Sequence, residues 1–135
     1  MELVIGGSFQ GKLEYAKQKL QKGGVCADEI EIVDGETIKI EEIGTVGCHI
    51  FNRLHLLIKR YAESGRTEEI TELLERLLEY HPRCIIICDE VGYGVVPTCR
   101  SERIYREEVG RALCFLSGHA EAVERIVGGI AMRIK

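Results

Sequence analysis

The sequence predicts an α/β fold, with a mainly parallel sheet flanked by helices in a single domain over residues 1–135. Three observations predict it. Apolar, strand-like runs alternate with helix-like segments along the whole chain. The run Cys84-Ile85-Ile86-Ile87-Cys88 shows no polar alternation, as a parallel strand covered on both faces requires. The stretch GGSFQGK, residues 6–12, puts a glycine turn between the first apolar run and the first helical segment.

Taken in order, Glu2 to Ile5 is apolar and ends at Gly6-Gly7, which predicts a buried first strand. Lys12 to Lys22 favours helix, and Gly23-Gly24 stops it. Glu29 to Val33 alternates polar and apolar, so a half-buried or edge strand is expected there, closed by the turn Asp34-Gly35. From Ile40 to Tyr61, apolar residues at 50, 51, 54, 57, 58 and 61 make a helical stripe. Gly44 and Gly47 are expected to separate a short helix from this longer one. A further helix begins at Arg66-Thr67 with Ile70, Leu73, Leu74, Leu77 and Leu78 on its apolar face, and Pro82 lies past its end. Cys84 to Cys88 leads through Asp89-Glu90 into a loop to Thr98. A helix follows to about Ser117 and is expected to end at Gly118. Ala122 to Val127 and Ile130 to Ile134 read as strands joined at Gly128-Gly129.

Composition bounds the function. Hydrophobic residues make up 45% and charged residues 30%, the balance of a soluble globular chain. No apolar run reaches the ~20 residues of a membrane span, and the first residues carry no basic leader, so a cytoplasmic protein with no membrane partner is expected. The formal net charge of -4, with no polybasic face, argues against a nucleic-acid partner. The six cysteines form no C-x-x-C and stand at no zinc spacing, so free thiols are expected, with Cys84 and Cys88 as small core residues. None of His49, His55, His81 and His119 carries a catalytic signature, and surface or packing roles are expected for each.

The chemistry sits in two short motifs. Gly6, Gly7, Ser8, Phe9, Gln10, Gly11, Lys12 and Leu13 read as a nucleotide-binding loop of P-loop NTPase type, G-x-x-x-x-G-K. Its amides and the helix N-terminus suit phosphate oxygens, and Lys12 suits the terminal phosphates of GTP or ATP. The alternative is a glycine-rich turn with an exposed lysine. At position 13 the motif calls for Ser or Thr, whose hydroxyl ligates Mg²⁺, and the chain has Leu13. The second motif is Asp89-Glu90 at a strand end, carboxylates suited to Mg²⁺, with Glu90 also a candidate catalytic residue beside Lys12. On the helix after residue 99, Arg106 and Arg111 are candidate phosphate contacts. Arg103, Glu107 and Arg111 also fit a solvated ion-pair ladder.

The last third of the chain is the most specific. Glu90, Val91, Gly92, Gly94, Val95, Val96 and Pro97 give E-V-G-x-G-[IV]-V-P, followed by Tyr105-Arg106-Glu107, Gly110-Arg111 and Gly129-Ile130. With Gly6, Gly7, Gly11 and Lys12, this resembles the adenosylcobinamide kinase / adenosylcobinamide-phosphate guanylyltransferase family of cobalamin biosynthesis, as a short, divergent member. The resemblance implies a P-loop α/β fold and a trimer. It implies phosphoryl transfer from a nucleoside triphosphate to the corrinoid cobinamide, then guanylyl transfer through a histidine. The chain departs from the pattern at Leu13 and has no histidine before His49, so no position inherits the guanylyl-acceptor role. The resemblance also leaves room for a non-catalytic nucleotide-binding subunit or regulator derived from the family. Leu13 favours that reading, and the retained Glu90–Pro97 loop favours the enzyme.

Overall fold

A computed structural model of the chain describes residues 1–94 and 98–135. Val95, Val96 and Pro97 of the E-V-G-x-G motif lie outside the described residues. The elements are β1 (Glu2–Gly6), α1 (Lys12–Lys22), β2 (Ile32–Asp34), β3 (Ile50–Asn52), α2 (Leu54–Glu63), α3 (Ile70–Tyr80), β4 (Ile85–Asp89), α4 (Arg100–His119), β5 (Ala122–Val127) and β6 (Ile130–Arg133). They build one six-stranded sheet in the order β2-β3-β4-β1-β5-β6. Every pairing is parallel except β5 with β6.

Burial explains the strands. In β4, Ile86 and Cys88 face the cluster made with α2, α3 and α4, while Ile85 and Ile87 face the cluster under α1. A strand wedged between two helical layers has no polar face, hence its unbroken apolar run. Ile86 is wholly buried, which stabilises the fold by about 2 kcal/mol. The crossover through α1 leads to β2 and that through α4 to β5, on opposite sides of the β4–β1 pair. The crevice outside the carboxyl ends of β1 and β4 is therefore a topological switch point, where such sheets bind ligands. The β1–β4 register sets Gly6 opposite Asp89 across it.

Four sequence expectations shift. The stretch 29–33 is a 3-10 turn over Ala27–Glu29 followed by β2, because the Glu31 carbonyl accepts the His49 and Ile50 amides and regular pairing starts at Ile32 with Ile50. Only a 3-10 turn, Ile40–Glu42, forms where a short helix is expected. Ile50 and Phe51 belong to β3, not to the helical stripe. They bury on opposite faces of the sheet, and Arg53 at φ 55 turns the chain into α2 at Leu54. A three-residue strand is too short to show a period of two. Finally, α4 runs through Gly118 to His119, and the extended Ala120 ends it.

Candidate functional site

The loop from Gly6 to Lys12 is shaped by three backbone constraints. Gly6 sits at φ 148 so close to β5 that a Cβ would strike the Ile126 carbonyl. Gly11, at φ 86, turns the chain into α1. Between them Phe9, at φ 58, is fully exposed at the loop tip. Gln10 Oε1 accepts the Gly128 amide at 2.6 Å, tying the loop to the β5–β6 turn. No side chain caps the start of α1, so its first-turn amides stay available at the positive end of the helix.

Lys12 is 6% exposed. Its Nζ donates to the Gly7 carbonyl at 2.6 Å and the Gly6 carbonyl at 3.2 Å, and pairs with Asp89 Oδ1 at 2.7 Å. The Ser8 hydroxyl donates to Asp89 Oδ2 at 2.6 Å. Burial pushes the Asp89 carboxyl up, but donation from Lys12 and Ser8 and the field of His55 outweigh it, leaving the group below the usual carboxylate range.

His55, on the first turn of α2, is buried beside this pair. Its Nδ1 accepts the Asp89 amide at 3.1 Å, which puts the ring proton on Nε2, 3.7 Å from Asp89 Oδ2. Burial holds the imidazole below its ordinary value despite the neighbouring carboxylate. Next along the wall, Arg53 Nε donates to both Asp34 oxygens, at 3.1 and 2.8 Å, and its Nη1 pairs with Glu36 at 2.6 Å. Asn52 also donates to Asp34 at 3.2 Å.

These groups line one cleft of about 620 Å³, within the range of small-molecule sites. Ser8 to Leu13, Lys17, Ile87 and Asp89 open onto it, together with Asn52, Arg53 and His55 from the end of β3 and the start of α2. The two expected carboxylates diverge. Asp89 shares the Ile87 side of β4 and enters the cleft, whereas Glu90 accepts Arg125 Nε at 2.8 Å and the Tyr93 hydroxyl at 3.3 Å, outside the cleft lining. Arg106 and Arg111 also lie outside the lining. Arg111 pairs with Glu107 at 2.5 Å and Glu108 at 3.3 Å, the ladder expected of a solvated helix face. Leu13 lines the cleft and packs its other side on the apolar cluster under α1.

Sequence reasoning missed Asn52, Arg53 and His55. Their signal, a polar N-R-x-H at a strand end, was hidden because residues 50–61 scan as one helix.

The site fits a phosphate chain better than a resident metal. A cation and a set of uncapped amides face the cleft, whereas Leu13 offers no oxygen and Asp89 is taken up by Lys12 and Ser8. Among the described residues, no group of three or more histidine, cysteine or acidic side chains is placed to hold a metal ion. None of the described helices is long and apolar enough to cross a membrane.

A family model described as cobinamide kinase / cobinamide phosphate guanyltransferase matches residues 32–134. Two curated relatives carry the name "Bifunctional adenosylcobalamin biosynthesis protein CobU", one from Escherichia coli (strain K12) and one from Salmonella typhimurium (strain LT2). Each is 32% identical over 73 residues, which is 54% of this chain. The match spans 40% of each relative's length. The glycine loop precedes the residues that the family model matches.

Proposed function

The chain belongs to the cobinamide kinase / cobinamide phosphate guanyltransferase family, and from that premise we propose that it is a phosphoryl transferase of cobalamin biosynthesis. Residues 1–135 act as one nucleotide-binding domain that takes GTP or ATP with Mg²⁺ and passes a phosphoryl group to the corrinoid cobinamide. The observation that carries this reading is Lys12, held at the start of α1 inside a glycine loop that faces a cleft of about 620 Å³. Loop amides and Lys12 receive the phosphates, while Ser8 and His55 keep Asp89 in place. When the phosphates draw Lys12 away from Asp89, the Oδ1 it releases becomes available to a nucleotide-borne Mg²⁺, which would supply charge neutralisation at the transferred group. Glu90, Arg106 and Arg111, which are not among the residues lining the cleft, are the weaker site candidates.

Guanylyl transfer is left out of the proposal. The one histidine lining the cleft, among the described residues, has its Nδ1 committed to the Asp89 amide. A homo-oligomer is part of the proposal. β6 is an outer strand of the sheet, and its Ile130 is 71% exposed, apolar surface suited to a second copy. A cytoplasmic location, where nucleoside triphosphates are abundant, completes it.

A second reading has its own observation. Leu13 packs against the cluster under α1, as expected of a nucleotide-binding subunit or regulator that no longer performs chemistry. A thermal-shift panel of GTP, GDP and ATP with and without Mg²⁺, followed by a cobinamide phosphorylation assay, separates the two. Lys12→Ala is expected to weaken GTP binding at least tenfold, about 1.4 kcal/mol. Unchanged affinity by calorimetry in a folded variant would remove the loop as the site.

A further inference from the structure

At the opposite end of the sheet from the cleft, two cysteines meet. Cys48 lies two residues before β3, and Cys84 immediately before β4. The chain segments leading into these strands run side by side, since the Ile85 amide donates to the His49 carbonyl at 2.9 Å and Ile50 pairs with Ile85. Cys48 and Cys84 both line one surface cavity of about 340 Å³, so the two side chains share the same small space. Cys84 is buried and Cys48 half-buried, so one sulfur of the pair is open to a small reagent. The other cysteines are placed differently: Cys26, Cys99 and Cys114 are exposed, and Cys88 is buried within β4.

We propose that Cys48 and Cys84 form a reversible dithiol–disulfide site, oxidised by a low-molecular-weight disulfide such as oxidised glutathione. The Cys48 sulfur, as thiolate, attacks the small disulfide RSSR. One S–S bond breaks, the mixed disulfide Cys48–S–S–R forms, and RS⁻ leaves. The Cys84 thiolate then attacks the Cys48 sulfur, closing the Cys48–Cys84 bond and releasing the second RS⁻. Two electrons pass from the protein to the small disulfide, and the two cysteine protons leave with the two small thiols. Cys48, the more accessible of the two, loses its proton as it attacks, and once it is held in the mixed disulfide the neighbouring Cys84 is the thiol placed to resolve it.

The bridge ties together the starts of β3 and β4 and encloses α2 and α3 in one covalent loop. It restricts the unfolded chain most, so oxidation raises the melting temperature. The cleft lies beyond the far ends of the same strands, so its ligand response is left unchanged.

The test uses the full chain carrying Cys26→Ser, Cys99→Ser and Cys114→Ser. Samples equilibrated in buffers of stepped glutathione ratio are quenched in acid, denatured, blocked with maleimide and mapped by mass spectrometry. Expected is a linked peptide pair containing Cys48 and Cys84, lighter by two hydrogens, with Cys88 blocked as a free thiol. Dithiothreitol reverses it. The oxidised protein melts about 5–10 °C higher than the reduced one. Adding Cys48→Ser, a change at a half-buried site, removes both the link and the shift. A folded protein in which both residues stay thiols, or in which Cys48 carries only glutathione across the whole series, overturns the proposal. So does a bridge that forms with no rise in melting temperature.

Discussion

Asp89→Asn is expected to tighten nucleotide binding in the absence of metal. Lys12 spends its three donors on the Gly6 and Gly7 carbonyls and on Asp89, so an incoming phosphate must compete with a carboxylate for the same ammonium. That carboxylate also repels the phosphate. Two unit charges about 4 Å apart at an effective dielectric near 20 interact by about 4 kcal/mol. Much of this is returned as hydration when the pair opens into the cleft, and a remainder of about 1.4 kcal/mol is a tenfold change in affinity. Asparagine keeps the shape, accepts from Lys12 through Oδ1 while its amide nitrogen donates to the Ser8 hydroxyl, and retains the backbone amide that His55 binds. The same change strips Lys12 of its counter-charge. At a site open to water on one side this costs about 2 kcal/mol, less than the loss at a fully buried pair, and lowers the melting temperature by about 5–8 °C. Calorimetry with GTP in EDTA and again in Mg²⁺ makes the comparison. The variant should bind about tenfold tighter than wild type in EDTA and gain less from Mg²⁺. A folded variant that binds GTP more weakly in EDTA refutes the idea that Asp89 competes for Lys12.

Leu13→Thr exchanges a partly buried isobutyl group for a hydroxyl and should lower stability by about 1 kcal/mol. Nucleotide affinity in EDTA should hold, while Mg²⁺ dependence and any phosphoryl-transfer rate should rise. A less stable variant, still inactive with cobinamide and GTP supplied, ends the kinase reading. Because burial keeps His55 below its ordinary value, unfolding takes up a proton: stability should be level above about pH 6.5 and fall as the pH drops from there toward the lower folded value. His55→Gln should flatten that slope in urea melts taken across the range, and an unaltered slope rules His55 out as its source. Gly6→Ala drives a Cβ into the Ile126 carbonyl at a left-handed φ and should cost about 3 kcal/mol or more by urea unfolding, whereas a loss within experimental error would mean the loop is free to move off β5.

What the sequence disclosed follows from how local each signal is. The β4 run and the glycine loop are contiguous, so composition alone marks them. The β3 strand failed because its residues Ile50 and Phe51 satisfy a helical stripe and a two-faced strand equally well. That error hid Asn52, Arg53 and His55, which become cleft residues only once the chain turns at Arg53. Asp89 and Glu90 look like a matched pair when only their adjacency is known. Side chains alternate along an extended strand, so when Asp89 shares the Ile87 side its neighbour is sent to Arg125 instead. Nothing in the sequence spacing of 12, 55 and 89 says that these three residues meet, because their proximity is a product of strand order.

The central place of β1 has a consequence for how the protein comes into being. Glu2 pairs with Ile85 on one side and Ala122 on the other, so the first of the six strands to be made finds its partners only after more than eighty further residues have been joined. Until then its apolar run has only α1 to rest against and no strand partner. During synthesis the nascent chain therefore carries an unpaired strand for most of its elongation, a period in which chaperone capture competes with aberrant pairing. The glycine loop gains its contacts with Ile126 and Gly128 only as the last strands arrive. High sequence separation at the very centre of the sheet also makes folding slow relative to chains built from neighbouring contacts.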